Sequence, residues 1–537
     1  INCSARGGLY PLPALPFHLF VSRLRQLTST SSTSRRRTTD MSNLYHPRLS
    51  VDVLLTILPY LNQRTALALS AANTQLRAYV SANVLRRPVV LRSYPGILSF
   101  LAFLRTGGSL TSHCDKVVDL DITIPASFPS IQISRLRDTL VALTELRSLT
   151  IRNPEVVFAT AVVLRRAFEG LRNLEVLTLV GAGCESFKLL PSSRSSIPSI
   201  RVLDPIWRFP MAEALVGRES CKDLVAHNCY VPPVPHPQDT RATTFPELRR
   251  LHIPRYSLEP GNCIAGLMVI VPDLRVLDVG TDYSSRTWSE EAFDRRHRNK
   301  TATMDVQLDA HNGRRPPVWP GLELVRGGLV DLLMFGNSCR AIALELIGQP
   351  IATPALQRLI PVVVADHAPR ILRLSLSGPQ FDMGVFVAER LQMRSVHCLH
   401  VRIVLTSVPT EAEWTACELT TSRHVLQRAL TDLTYAFGEC MAVFVELEAV
   451  DPALRDFLAG KDREQFARSI MARSEIVHVV CVSTSLGPAY WRLCRVIGGV
   501  RELEQPRLPN DEGRRIFTKC GAFSEAYPLC EPSSSEI

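Results

Sequence analysis

Apolar residues between Val51 and Leu61 fall into two adjoining helical stripes. Val53, Ile57, Tyr60 and Leu61 lie on one side, and Leu54, Leu58 and Leu61 on the other. A stripe that wide predicts a helix with one face for its own core and one apolar face left for a partner. Ser50 is placed to cap the helix N-terminus, and Asp52 puts negative charge in the first turn, where the peptide dipoles favour it. Asn62 to Thr65 reads as a polar turn, Ala66 to Ala72 as a second short helix, and Gln75 to Leu85 as a third.

Farther along, a second pattern recurs: apolar-x-x-apolar-x-apolar, often after an X-Pro turn. Full copies are Leu146/Leu149/Ile151, Leu174/Leu177/Leu179, Leu248/Leu251/Ile253, Leu274/Leu277/Val279, Ile371/Leu374/Leu376 and Val396/Leu399/Val401. Partial copies are Val117/Leu120/Ile122, Ile200/Leu203 and Leu322/Val325. Their first positions are separated by one or two units of roughly 24–29 residues, with double spacings after 200, 274 and 322. The alternating end of the motif predicts a short strand with one side in a core. Val157, Ala161, Leu164, Phe168 and Leu171, spaced by three and four, predict a helix face between two such strands. A unit of one strand and one helix cannot bury its apolar face alone, so the units are expected to stack as a solenoid. The expected fold class is α/β, three N-terminal helices followed by strand-helix units. A doubly wound α/β domain alternates in the same way, but Gly181-Ala182-Gly183 lacks the third glycine of a phosphate-binding turn.

Each pattern carries a resemblance. Leu49, Asp52, Val53-Leu54, Ile57, Tyr60-Leu61, Leu67, Leu69 and Leu76-Arg77 resemble the F-box family at its expected spacings. Ser50 stands where a proline is usual and Leu76 where a tryptophan is usual. The later motif loosely resembles leucine-rich repeats, although the asparagine that usually follows the strand is present at Asn153 and missing from most copies. The resemblance implies a substrate-recognition subunit of a Skp-cullin-F-box ubiquitin ligase. The implied adaptor-binding residues are Leu49, Ser50, Val53, Leu54, Ile57, Leu58, Tyr60, Leu61, Leu67 and Leu76. They would be buried partly among themselves and partly against a Skp-family adaptor, which in turn recruits a cullin. The repeats would hold an unidentified target protein on their concave face. Other subunits would transfer ubiquitin, so no catalytic residue, cofactor or metal is expected here. An alternative keeps this architecture as an interaction scaffold without a ligase role.

The organisation expected is a leader at 1–40, the F-box at 41–92 and a repeat array at 93–406. Loop inserts are expected near 231–238, which is proline-rich, and at 281–318, a polar stretch containing Asp294-Arg295-Arg296-His297-Arg298-Asn299-Lys300. The second insert reads as a solvated basic segment. Irregular terminal repeats and a helical cap should fill 407–519, with helices at Glu411–Phe437 and Ala453–Ala472 and strands at Met441–Leu447 and Ile476–Val482. The last residues, 520–537, should be a disordered tail.

Composition narrows the functional classes. With 46% hydrophobic and 21% charged residues in 537, the chain reads as folded. The net charge of +10 is half accounted for by residues 1–40, where six arginines face only Asp40, so the remainder shows no electrostatic footprint for nucleic acid. No stretch reaches membrane-span length; Val156 to Leu164 stops at Arg165-Arg166. The fourteen cysteines are scattered, with no CxxC pair, as expected of small buried hydrophobes in a reducing compartment, the cytosol or nucleus. The acid-poor segment before Met41, rich in Ser, Thr and Arg, reads either as untranslated upstream sequence or as a transit peptide. Catalytic signatures such as G-x-S-x-G, a P-loop or H-E-x-x-H are missing. His397 and His400 should diverge across a strand, and Asp119 and Asp121 should be ordinary exposed strand residues. A hydrolase or transferase in the C-terminal half would instead show a pocket gathering titratable groups between Glu411 and Glu504.

Overall fold

The computed structural model describes residues from 50 to 519, leaving out chiefly 106–110, 231–243, 254–263, 280–289, 378–392, 406–436 and 450–462. The leader, Leu49, Leu67, the proline-rich 231–238 segment, most of Glu411–Phe437 and the 520–537 tail lie outside the described residues. The fold is α/β, built on a large, mostly parallel sheet. It divides into two compact units, Ile1–Leu177 with Ser193–Ser195, and Thr178–Ser192 with Ser196–Ile537.

The first unit opens with the helix Val51–Ile57. Its N-terminus is held by the Ser50 hydroxyl, which accepts a hydrogen bond from the Val53 N–H at 3.3 Å, and Asp52 sits in its first turn. A 3-10 turn follows at Leu58–Tyr60, where Pro59 suits the start of a tighter turn. A later helix runs Thr74–Asn83. Leu58, Ala66, Leu69, Leu76 and Val80 form one buried cluster, and Leu54, Leu61 and Phe103 pack against it. Strands β1 (Val89–Leu91), β2 (Asp119–Thr123) and β3 (Ser148–Arg152) then pair parallel, with Val90, Asp121 and Thr150 in register. Leu120 and Ile122, then Leu149 and Ile151, point into the core. The five residues expected to share a helix face after β3 are all buried, but the helix breaks at Ala161, giving Pro154–Thr160 and Val162–Glu169.

The chain passes into the second unit within β4 (Val176–Val180). There β5 (Ser199–Leu203) pairs parallel with β7 (Asp223–Ala226), and β6 (Phe209–Pro210) pairs beside them with β8 (Cys229–Tyr230). The series continues in parallel through β9 (Arg250–Ile253), β10 (Val276–Val279), β11 (Leu322–Gly327) and β12 (Ala341–Leu346). Next come β13 (Ile371–Ser377), β14 (Cys398–Leu405), β15 (Ala442–Ala449) and β16 (Val479–Thr484), also parallel. Two antiparallel strands, β17 (Gly487–Ile497) and β18 (Val500–Leu503), end it.

The three double spacings have two causes. Two of them hide a strand: Cys221/Leu224/Ala226 in β7 and Ala341/Leu344/Leu346 in β12 are buried motif copies that begin with cysteine or alanine. The third hides none, because β10 pairs directly with β11. The interval between them contains the 22-residue helix Glu290–His311, so the 281–318 stretch is not the solvated loop expected. The expectations at Ile200/Leu203 and Ile371/Leu374/Leu376 are also out of phase. In the first, Ile197, Ile200 and Val202 are the buried set, and Leu203 is half-buried. In the second, Ile371 pairs with Cys398 on the opposite face, and Leu372 and Leu374 are the pair in register with Leu399 and Val401.

A turn signal accompanies the strands. Asn153, Gly181, Asp204 and Asn228 follow β3, β4, β5 and β7, each with positive φ. Asn, Asp and Gly tolerate this left-handed conformation best. The turn is therefore retained where the sequence has no asparagine.

Candidate functional site

The two stripes of the first helix part company. Leu54 and Leu61 are half-buried against the cluster and Leu58 is fully inside it, whereas Val53 is 45% exposed, Ile57 37% and Tyr60 87%. The outward set recurs at intervals of four and three, so it forms one continuous apolar edge along about two turns of chain. Large apolar side chains grouped this way mark a contact surface more often than isolated ones do. Ser50 is exposed at the head of this edge, its hydroxyl engaged in the cap. Leu58 and Leu76 belong to the share of the set that is buried within the helices themselves: both lie inside the cluster, beneath the exposed edge.

In the second unit, the face of the sheet opposite the motif leucines changes character along its length. Toward the C-terminus it is apolar, with Ile371, Cys398, Ala442, Phe444, Val479, Cys481 and Tyr490 all buried. They are covered by Leu508 and the helix Asn510–Lys519, whose Ile516 packs on the cluster. The helix lies close because residue 513 is glycine; a methyl group there would overlap the Tyr490 ring. Burial drives the Cys481 thiol upward in pKa, so it is a packing group. Cys221 and Cys229 are pushed up to about 12 for the same reason.

Earlier along the same face the row is polar. Pairing places His252, Asp278, Arg326, Glu345, Arg373 and His400 side by side on six adjacent strands. Arg326 lies 3.7 Å from both Asp278 and Glu345, and Arg373 lies 3.8 Å from Glu345. Burial raises the Asp278 carboxyl to about 6, Arg326 opposing and Glu345 adding to the rise. Burial likewise lowers His252 to about 4, with Arg326 contributing. His400 ends the row edge-on against Phe444, ring centroids 4.4 Å apart, while the exposed His397 ring contacts the Ser395 carbonyl at 2.7 Å. Sequence reasoning missed this row. Its signal is a charged residue or histidine between the two inward apolar positions of successive strands, as in Leu251/Ile253, Leu277/Val279, Leu344/Leu346, Leu372/Leu374 and Leu399/Val401.

Other charged residues are structural. Asp121 is no free strand carboxylate: Arg152 donates to it twice, at 3.0 and 3.2 Å, from the neighbouring strand. In the helix Glu290–His311, Arg296 donates to both oxygens of Asp366 at 3.0 and 2.8 Å, and Lys300 donates at 2.8 Å. Asp366 is almost wholly buried. The basic run 294–300 is thus partly consumed in anchoring its own helix. Among the described residues, no group of His, Cys, Asp and Glu is arranged to hold a metal ion, and no helix is long and apolar enough to cross a membrane. No protein-family model and no curated protein sequence matches the chain.

Proposed function

We propose that this chain is the substrate-recognition subunit of a Skp-cullin-F-box ubiquitin ligase. In this reading the N-terminal helices are an F-box that docks a Skp-family adaptor, and through it a cullin. The strand-helix units are a degenerate leucine-rich-repeat solenoid that binds a target protein, and the complex works in the cytosol or nucleus. The observation that carries the proposal is the exposed edge Val53, Ile57 and Tyr60 on a helix whose other stripe is already packed. A helix that needed only its own core would present polar residues there. An exposed tyrosine flanked by aliphatic residues also has the composition of an interface anchor. The chain would act by proximity, raising the effective concentration of target lysines beside an enzyme that other subunits supply.

The test is a pull-down of purified chain with a Skp-family adaptor and its cullin, wild type against Ile57→Asp. Ile57 is outside the buried cluster, so the variant should stay folded, and the carboxylate would have to be desolvated in the interface. Loss of both partners by the variant is the expected outcome. Equal recovery of the adaptor by both proteins would remove the F-box assignment. Adaptor recovered without cullin would favour the scaffold alternative.

A further inference from the structure

The polar row on the second unit is under-satisfied compared with other ion pairs of the same molecule. Arg152–Asp121 and Arg296–Asp366 close as paired hydrogen bonds of 2.8–3.2 Å. The Asp278–Arg326, Arg326–Glu345 and Glu345–Arg373 contacts stop at 3.7–3.8 Å, beyond hydrogen-bond reach. Asp278 Oδ1, Arg326 Nε, Ser375 Oγ and His400 Nδ1 are buried without a hydrogen-bond partner. All four belong to β10, β11, β13 or β14 and lie on the same face of the sheet. Buried polar atoms left without partners are costly, so this part of the sheet face is held less firmly by its own ion pairs than Arg152–Asp121 or Arg296–Asp366, and its charges are not saturated by their neighbours. The Asp278, Arg326, Glu345 and Arg373 side chains remain 12–20% exposed, so the row is partly open to solvent.

Two features of the row select the chemistry of a partner. Its signs alternate strand by strand: minus at Asp278, plus at Arg326, minus at Glu345, plus at Arg373. A polyanion or a polycation would gain at two positions and lose at two within a few ångströms, and its net attraction would cancel. A partner whose charges alternate in the opposite sense gains at all four. The pitch is set by the sheet, about 4.7–4.9 Å from strand to strand. A helix repeats a face about every 5.4 Å, a drift of roughly half an ångström per step. An extended peptide repeats a face about every 6.6 Å and falls out of step within three strands.

We propose that the outer row from His252 to His400 is a recognition strip for a partner α-helix whose acidic and basic side chains alternate at three-to-four-residue spacing. The proposal deepens the target-receptor reading by stating the chemistry of the target. It is independent of the adaptor surface, which lies in the other unit. Adaptor binding with a failed strip sinks only the strip, and the reverse result sinks only the ligase assignment.

The experiment uses the full chain and two fluorescein-labelled alanine-based helical peptides of identical composition. One carries Lys, Glu, Lys, Glu at positions i, i+4, i+7 and i+11, and the other carries Lys, Lys, Glu, Glu at the same places. Anisotropy titrations at low salt should show the alternating peptide binding at least tenfold more tightly. Arg326→Glu with Arg373→Glu should abolish that preference, with tryptophan fluorescence confirming that the second unit is folded. If the double variant does not fold, Glu345→Lys should reduce the preference by itself. Equal binding of the two peptides, or a preference that survives the substitutions, would overturn the proposal.

Discussion

Leu58 and Ile57 are chain neighbours with opposite environments, and exchanging each for alanine separates folding from docking. Leu58 is fully buried in one cluster with Leu76 and Val80 of the later helix, whereas Ile57 is 37% exposed and outside the cluster. Truncating a buried leucine to alanine costs about 2–5 kcal/mol, the spread depending on how far the surroundings collapse. Ile57→Ala, with no core cavity to open, should cost about 1 kcal/mol. All five tryptophans lie beyond residue 177, so indole fluorescence reports only the second unit. The first unit is better read by amide hydrogen exchange of the helix Thr74–Asn83, which carries Leu76 and Val80. Leu58→Ala should accelerate that exchange roughly 30- to 4,000-fold, at about tenfold per 1.4 kcal/mol, without moving the fluorescence transition of the second unit. Its adaptor affinity, corrected for the folded fraction, should be unchanged. Ile57→Ala should show the reverse: exchange within about tenfold of wild type and a clear loss of adaptor binding. The division of the helix into a supporting and a docking stripe fails if Leu58→Ala leaves exchange unaltered, or if the two variants behave alike.

Two further outcomes concern the second unit. Asp366→Ala strands Arg296 and Lys300 against a nearly dry site and should destabilise the unit by roughly 3 kcal/mol; urea unfolding followed by tryptophan fluorescence measures it, and a change under 0.5 kcal/mol would contradict the anchoring role. Asp278 has a folded-state pKa near 6, above its ordinary 3.8, so ionising it opposes folding. That cost is complete above about pH 6 and gone below about 3.8, so Asp278→Asn should stabilise the protein by about 2–3 kcal/mol at pH 7.5 and progressively less toward pH 4.5. A variant less stable than wild type at pH 7.5 would show that the weak ion pairs outweigh desolvation.

Legibility followed the physical strength of each signal. The Ser50 cap, the two stripes of the first helix and the inward pairs Leu120/Ile122, Leu149/Ile151 and Leu277/Val279 were readable because they depend on local spacing alone. β7 and β12 were missed because Cys221 and Ala341 occupy positions where a leucine was sought, although a small side chain fills the same buried place. β11 was incomplete for a related reason: its third inward position is Gly327, where a methyl would press on Leu332 and the Val279 carbonyl. The helix Glu290–His311 reads as a solvated insert in sequence because its composition is strongly polar. Its anchors, Asp366 and the Met334 carbonyl that accepts from Asn299, lie in distant parts of the sequence. A pairing across 70 residues leaves no local periodicity to find.

The composition of the outer row also explains where the sheet is covered. If exposure alone governed that row, it would stay as polar on β15 to β17 as it is on β10 to β14. Instead those strands carry Phe444, Cys481 and Tyr490 in register with Arg373 and His400, and these pack in one cluster with Leu508 and Ile516. A glycine at 513 lets the covering helix approach, so both surfaces are adapted to one contact. The charged row lacks that adaptation: Asp278, Arg326 and Glu345 belong to no apolar cluster, and their mutual distances are too long for hydrogen bonds. An apolar row closed by the chain itself and a polar row left with unpartnered atoms call for different occupants. The first has its occupant at Asn510–Lys519. For the second, four alternating charges at strand spacing favour an occupant of similar pitch, and of single continuous segments an α-helix, at about 5.4 Å per turn, comes nearer to it than an extended strand, at about 6.6 Å per face repeat.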